Sequence, residues 1–250
     1  MRPTVIALAL LVLPGCSLVW RAPVPMRAID FPATQGPAKC LVVFLPGYGD
    51  DAEDFEKKGF VEEFRRRGLS ADLVAASATI GYYSRGIIAE RLSADVIAPR
   101  RARGYAQTWL IGPSMGGFGT LFYARQRPAD VTGVLALAPY LGDKDLIEEV
   151  HKAGGLDKWP GPPPVEKMND DNYQREMMRW LQGVTRGQEK GPILNLGFGS
   201  TDKLAYSDEL LAAVLPSDHV YRTEGNHNWG PWRNLLGQFL DRGELAKACR

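Results

Sequence analysis

With 250 residues, 45% of them hydrophobic, the chain is long enough to bury one full core as a single domain. Its formal net charge of +1 offers no field for a nucleic acid or another polyanion to follow. The three histidines (His151, His219 and His227) form no i, i+4 pair and the three cysteines lie far apart, so no metal site and no cofactor are expected.

Met1-Arg2 precedes an apolar run from Val5 to Leu13, the length of a secretory leader's core and too short to span a bilayer comfortably. It ends in Leu13-Pro14-Gly15-Cys16. A leucine, then a glycine directly before a cysteine, resembles the lipobox of bacterial lipoproteins, with Pro14 where that family usually has a small residue. The resemblance implies a signal peptide over residues 1–15, acylation of Cys16 and a lipid anchor in a bacterial envelope. Ser17, in place of an aspartate, implies the outer membrane, with the side left open. An ordinary secretory signal or an uncleaved anchor is the alternative. Residues 16–38 carry Pro23, Pro25, Pro32 and Pro37 with little periodicity, and read as a tether with a short edge strand near Arg27 to Phe31.

From residue 39 to 250 strands and helices alternate. Cys40 to Leu45 is a continuous β-rich apolar run, as expected of a strand buried on both faces. It breaks into the loop Pro46-Gly47-Tyr48-Gly49-Asp50-Asp51. Phe55, Phe60, Val61 and Phe64 follow at helical spacing, ended by Gly68, and Ala71 to Ala76 is the next strand. Ile80-Gly81-Tyr82-Tyr83 reads as a loop whose tyrosines either line a pocket or pack beneath it. Ile87, Ile88, Leu92, Val96 and Ile97 give a helix stripe. The runs Arg65-Arg66-Arg67 and Arg100-Arg101-Ala102-Arg103 fall on helical patterns and read as solvated faces.

Gln107 to Ile111 is a strand running into Gly112-Pro113-Ser114-Met115-Gly116, and a helical pattern follows it. Glycine, serine and glycine at this spacing make a strand-to-helix elbow, a turn so tight that its serine is strained and exposed above the sheet. The serine then stands at a helix N-terminus, where free N–H groups favour negative charge. Here the chain resembles the serine carboxylesterases of the α/β-hydrolase superfamily. That resemblance implies an α/β fold with a mostly parallel sheet and helices on both faces, which the alternating elements also indicate. It implies further that the Pro46–Asp51 loop, with Pro46 replacing the usual histidine, presents the Tyr48 N–H beside that of Met115 as an oxyanion hole. A plain βα turn is the alternative.

Val131 to Ala138 is the strand after the elbow helix. The section 141–190 breaks the rhythm with Gly154-Gly155, a proline-rich stretch and one helix bearing Tyr173, Met177, Met178, Trp180 and Leu181. In the superfamily this interval holds lids, so a lid or pocket wall is expected, against a longer connecting helix with a loop. His151 reads as a surface residue. Ile193 to Leu196 is a short strand, and Asp202 follows it where the superfamily places its triad acid, or else as a helix N-cap. Ser207 to Leu215 is helical, and the last strand is His219 to Arg222, with His219 structural. His227 then lies in the loop before a closing helix striped by Trp229, Trp232, Leu235, Leu236, Phe239 and Leu240.

Serine, aspartate and histidine thus come in the superfamily's order, each after a strand. The resemblance implies that Ser114 attacks, His227 takes its proton and Asp202 orients the imidazole. The expected activity is hydrolysis of a carboxylic ester or thioester of a small or lipid-like molecule, with no nucleic-acid partner. An acyltransferase or peptidase using the same triad, and a lipid-anchored binding module without catalysis, stay open, as do acyl and alcohol specificity and oligomeric state. If Cys16 is acylated, Cys40 and Cys249 are the remaining thiols, and export sets a disulfide between them against a buried Cys40 and a free Cys249.

Overall fold

The computed structural model describes residues 21–165 and 167–249. Residues 1–15 and Cys16 lie outside them. Seven strands form one sheet: β1 (Ala28–Phe31), β2 (Cys40–Phe44), β3 (Ala71–Ala76), β4 (Gln107–Pro113), β5 (Gly133–Leu137), β6 (Ile193–Gly199) and β7 (Val220–Thr223). Their order is β1-β3-β2-β4-β5-β6-β7, parallel except for β1, which runs antiparallel to β3 at the edge. The expected α/β fold with a mostly parallel sheet is the fold observed.

Every residue of β2 is buried because helices cover both faces, so alternate side chains enter two separate cores. Leu41 and Val43 meet the first core together with Leu110, Leu121 and Trp180. Cys40, Val42 and Phe44 meet the second, built from Phe55, Phe60, Phe64, Leu235 and Phe239. The helices over the first face are α3 (Ile80–Ser84), α4 (Ile88–Arg91), α6 (Met115–Gln126), α7 (Lys144–Lys152), α8 (Tyr173–Thr185) and α9 (Ala205–Ala212), while α5 (Ala98–Arg101) buries no residue. A π-helical stretch, Leu92–Ile97, joins α4 to α5. Over the second face lie α1 (Asp54–Lys57), α2 (Phe60–Arg65), α10 (Trp229–Arg242) and α11 (Glu244–Ala248).

Several expectations need correction. The segment expected as a tether is, from residue 21, part of the domain. Ala22, Met26 and Phe31 are buried, Met26 N–H donates to Asp95 at 2.7 Å, and the Tyr82 hydroxyl donates to the Pro23 carbonyl at 2.7 Å. Its prolines hide periodicity, yet its apolar residues cover an otherwise open sheet edge. The helix expected over Phe55 to Phe64 is two helices, split at Gly59, whose φ of 84° no helix accepts. Ile80 to Tyr83 is helical rather than a loop, with Tyr82 fully buried beneath it. Two of the arginines read as solvated are not. Arg67 is 8% exposed and binds Glu63, Asp241 and the Gly237 carbonyl, while Arg100 holds Asp30 of β1 through two bonds of 2.7 and 2.6 Å. His219 sits in the turn before β7, with its Nδ1 3.0 Å from the Leu194 carbonyl oxygen.

Cys40 and Cys249 are joined in a disulfide, with Cα atoms 5.7 Å apart across a sequence separation of 209. The closing helix does not run straight to Cys249. It breaks at Gly243, and α11 carries the chain back to the bottom of the sheet, where the Cys249 carbonyl accepts from Ser70 N–H at 2.6 Å.

Candidate active site

β4 ends on Pro113 and α6 begins on Met115, leaving Ser114 alone to make the turn. Its φ of 54° and ψ of −119° are strained for a side-chain-bearing residue, at a cost on the order of 1–3 kcal/mol. The close approach of Gly112 and Gly116 permits this: a Cβ on Gly112 would stand 2.5 Å from the Gly116 carbonyl. Ser114 N–H is held by the Leu137 carbonyl at 2.8 Å, and its own carbonyl accepts from Phe118 and Tyr140. The hydroxyl therefore projects from a backbone fixed on three sides.

Two later loops bring the remaining groups. After β6 the chain turns at Ser200 and Thr201, whose N–H groups donate to the Thr223 and Gly225 carbonyls at 2.9 and 3.0 Å. These bonds lace the Asp202 loop to the His227 loop. A Cβ on Gly199 would lie 2.2 Å from the Gly225 carbonyl oxygen, so the two backbones touch. Asn228 caps α10 by accepting from Gly230 N–H, and Trp232 sets its ring edge-on to the His227 imidazole, centroids 4.9 Å apart.

The three side chains meet. His227 Nε2 lies 2.9 Å from Ser114 Oγ, and its Nδ1 lies 2.8 and 2.9 Å from the two oxygens of Asp202. The Asp202 side chain is fully buried and that of His227 13% exposed. Asp202 Oδ1 also accepts from Leu204 N–H at 2.8 Å within the turn before α9, but Asp202 is not that helix's N-cap, which is Leu204. Asp143, the next carboxylate along the sheet, instead caps α7 by accepting from Leu146 N–H. With Nδ1–H donated to Asp202, the Nε2 lone pair is free to accept the serine proton.

The Pro46–Asp51 loop passes directly over the elbow. A Cβ on Gly47 would stand 3.7 Å from Ser114 Cβ, and one on Gly116 would stand 2.0 Å from the Leu45 carbonyl oxygen. Neither Tyr48 N–H nor Met115 N–H makes a backbone hydrogen bond to another described residue. Tyr48 itself is 63% exposed.

A cavity of about 760 Å³ lies against α6, and its lining includes Phe118, one turn from Ser114, but not Ser114, Asp202 or His227. Tyr83, Phe122 and Arg125 also line it, with Met168 and Tyr173 from the 141–190 section. Among the described residues of the 141–190 section only residues 167–170 and Tyr173 line the cavity, and of the paired tyrosines Tyr83 lines it while Tyr82 packs beneath. His151 lies away from the triad, stacked on Tyr206 at 3.9 Å.

Two residues near the triad carried no distinct sequence signal. Asp50 accepts from Trp229 Nε1–H at 3.2 Å, and burial raises its pKa. Asp208 is fully buried with neither carboxyl oxygen hydrogen-bonded to a described residue. Burial, and then the Asp202 charge, push its pKa well above the usual carboxylate range. Among the described residues no cluster of three His, Cys, Asp or Glu side chains is arranged to hold a metal ion, and no helix is long and apolar enough to cross a membrane.

Comparison with known proteins agrees with the fold. The chain is similar to the Mycobacterium tuberculosis protein MPT51, with a TM-score of 0.61 and 15% identity over 93% of this chain and 98% of that one. It is similar to an S-formylglutathione hydrolase from Agrobacterium tumefaciens, with a TM-score of 0.58 and 15% identity over 90% of each chain. An S-formylglutathione hydrolase from Staphylococcus aureus matches with a TM-score of 0.55 and 16% identity, over 87% of this chain and 83% of its own. No curated protein sequence matches. A family profile described as "Putative esterase" matches residues 82–242, more than half of the chain, from Tyr82 to Arg242. The chain belongs to this esterase family.

Proposed function

We propose that the protein is a serine hydrolase of carboxylic esters or thioesters working through an acyl-serine intermediate. The observation that carries this reading is the unbroken line from Asp202 through both nitrogens of His227 to Ser114 Oγ. As Ser114 Oγ attacks the ester carbonyl, His227 Nε2 takes its proton, and Asp202 steadies the imidazolium. The carbonyl oxygen gains charge and is received by the Tyr48 and Met115 N–H groups, worth about 10² to 10³ in rate for each donor. His227 then gives its proton to the departing alcohol or thiol, and water, deprotonated in the same way, releases the acid and restores Ser114. The cavity along α6 would take the bulkier side of the ester.

A binding module without catalysis fits poorly, since strain and burial are both spent on holding three competent side chains in line. A chain-length series of chromogenic esters tests hydrolysis, and added alcohols test whether the acyl group passes to water or to another acceptor. Turnover of no ester, thioester or amide by folded protein would contradict the reading.

The lipid anchor at Cys16 belongs to the same proposal. Its support is the Leu13-Pro14-Gly15-Cys16 sequence and the Cys40–Cys249 disulfide, which suits an oxidising compartment such as the periplasm or cell surface. Cys16→Ser should end incorporation of labelled palmitate. Unchanged labelling in that variant would refute it.

A further inference from the structure

We infer that Asp50 is a positioning residue, clamping the Gly47–Asp50 turn to the start of α10 so that the Tyr48 N–H and His227 keep one geometry around Ser114. The inference rests on the ester-hydrolase reading above, and on Tyr48 as an oxyanion donor.

Two hydrogen bonds converge on this aspartate, and its carboxyl fits closely over a glycine. Its N–H donates to the Gly47 carbonyl at 3.3 Å, closing a four-residue turn with Tyr48 and Gly49 at its centre. Gly49 has a φ of 87°, as the third position of a type II turn requires. Its carboxyl folds back over the turn: Oδ2 is 2.9 Å from the place a Gly47 Cβ would occupy, on the same side as Ser114 Cβ. Its Oδ1 reaches across 179 residues to accept from Trp229 Nε1–H.

Trp229 is a rigid anchor. It is the first residue of α10, two beyond His227, and its ring packs edge-on against Phe55, Phe60 and Trp232 at 5.3, 5.1 and 5.6 Å. Trp232 in turn holds the His227 ring. One carboxyl thus ties the loop proposed to stabilise charge to the helix that fixes the base. Neighbouring carboxylates are engaged elsewhere: Asp51 and Glu53 pair with Arg27, and Asp54 accepts from Asp51 N–H. Asp50 is half-buried, with Asp54, Lys58 and His227 as its nearby charged or titratable groups. The loop lies outside helices and strands, so this tie adds to its own turn bond and its packing on the elbow in fixing the Tyr48 N–H, where a misplacement of about 1 Å costs roughly 10² in rate.

The test is steady-state kinetics on a short-chain ester for Asp50→Ala, Asp50→Asn and Trp229→Phe. It is paired with the affinity of a trifluoromethyl ketone that forms a tetrahedral adduct on serine. Asp50→Ala should lower kcat by about 10- to 100-fold with KM nearly unchanged, and weaken the ketone by a similar factor. Asp50→Asn should keep most activity, because its amide oxygen still accepts from Trp229. Trp229→Phe should resemble Asp50→Ala, and the double variant should be no worse than either alone. Wild-type kcat in Asp50→Ala, a loss confined to KM, or equal damage from Asn and Ala would overturn the inference. If Asp50→Ala does not fold, Trp229→Phe reads the same tie, and an unchanged kcat there overturns it. Absence of ester turnover in the wild type would instead defeat the hydrolase reading, so the two failures are distinguishable.

Discussion

Gly116, in the first turn of α6, lies against the carbonyl of Leu45, the residue just after β2. A Cβ at 116 would stand 2.0 Å from that oxygen and 2.7 Å from the Pro46 carbonyl oxygen. The obstacle is backbone on both sides, so no side chain can rotate away. Gly116→Ala must push the Pro46–Asp51 loop off the elbow. It should lower stability by about 1–3 kcal/mol or more and activity by at least about 10². Near-wild-type kinetics in this variant would mean that the loop tolerates displacement and does not position a catalytic donor.

Asp202 has two bonds to His227 and one to Leu204 N–H. Asparagine preserves the acceptor for Leu204 but presents an amide to the imidazole and favours the wrong tautomer. Asp202→Asn should therefore keep its melting temperature within a few degrees while kcat falls by up to about 10⁴. A variant with close to native kcat would show that Asp202 is a turn residue alone.

The parallel sheet was legible because strands buried on both faces read as continuous apolar runs, Cys40 to Leu45 and Ala71 to Ala76 above all. The meeting of Ser114, Asp202 and His227 was legible because each follows a strand in a fixed order. Less local features were not. The split at Gly59 and the break at Gly243 are hidden because helical periodicity continues on either side of them. The edge strand near Arg27 to Phe31 was legible and is β1, but the docking of residues 21–26 ahead of it was not, because it depends on partners such as Tyr82 and Asp95 that no local pattern announces. Arg67 looks like one of three surface arginines until α10 brings Asp241 and the Gly237 carbonyl to it. Asp50 and Asp208 acquire their surroundings only from elements far away in sequence or from burial.

Asp208 gives a pH prediction. Its pKa in the folded protein lies above the unfolded value of about 3.9, so the native state binds its proton more tightly. The stability this group contributes is fully present below about pH 4 and is lost as pH rises toward its folded pKa. Asp208→Asn cannot ionise and should escape that loss. Thermal melts should show the variant gaining on the wild type as pH rises above about 4. A difference in melting temperature that does not change with pH would count against a raised Asp208 pKa.

The disulfide between Cys40 and Cys249 encloses nearly the whole domain. Chain-entropy arguments give it a contribution of about 5 kcal/mol at most. Denaturant unfolding of Cys249→Ser should show a large drop in midpoint, and native protein should yield two alkylatable thiols from this pair only after reduction. Equal alkylation of unfolded protein before and after reduction would exclude the bond.

Ser114, strained at the elbow and 2.9 Å from His227 Nε2, is the proposed nucleophile. The most direct measurement is labelling with a fluorophosphonate, followed by peptide mapping and by the same experiment on Ser114→Ala. The label should fall on Ser114 alone and vanish in the variant, with kcat down by about 10⁴ or more and the fold intact. Labelling of another serine, or undiminished turnover by Ser114→Ala, would contradict it.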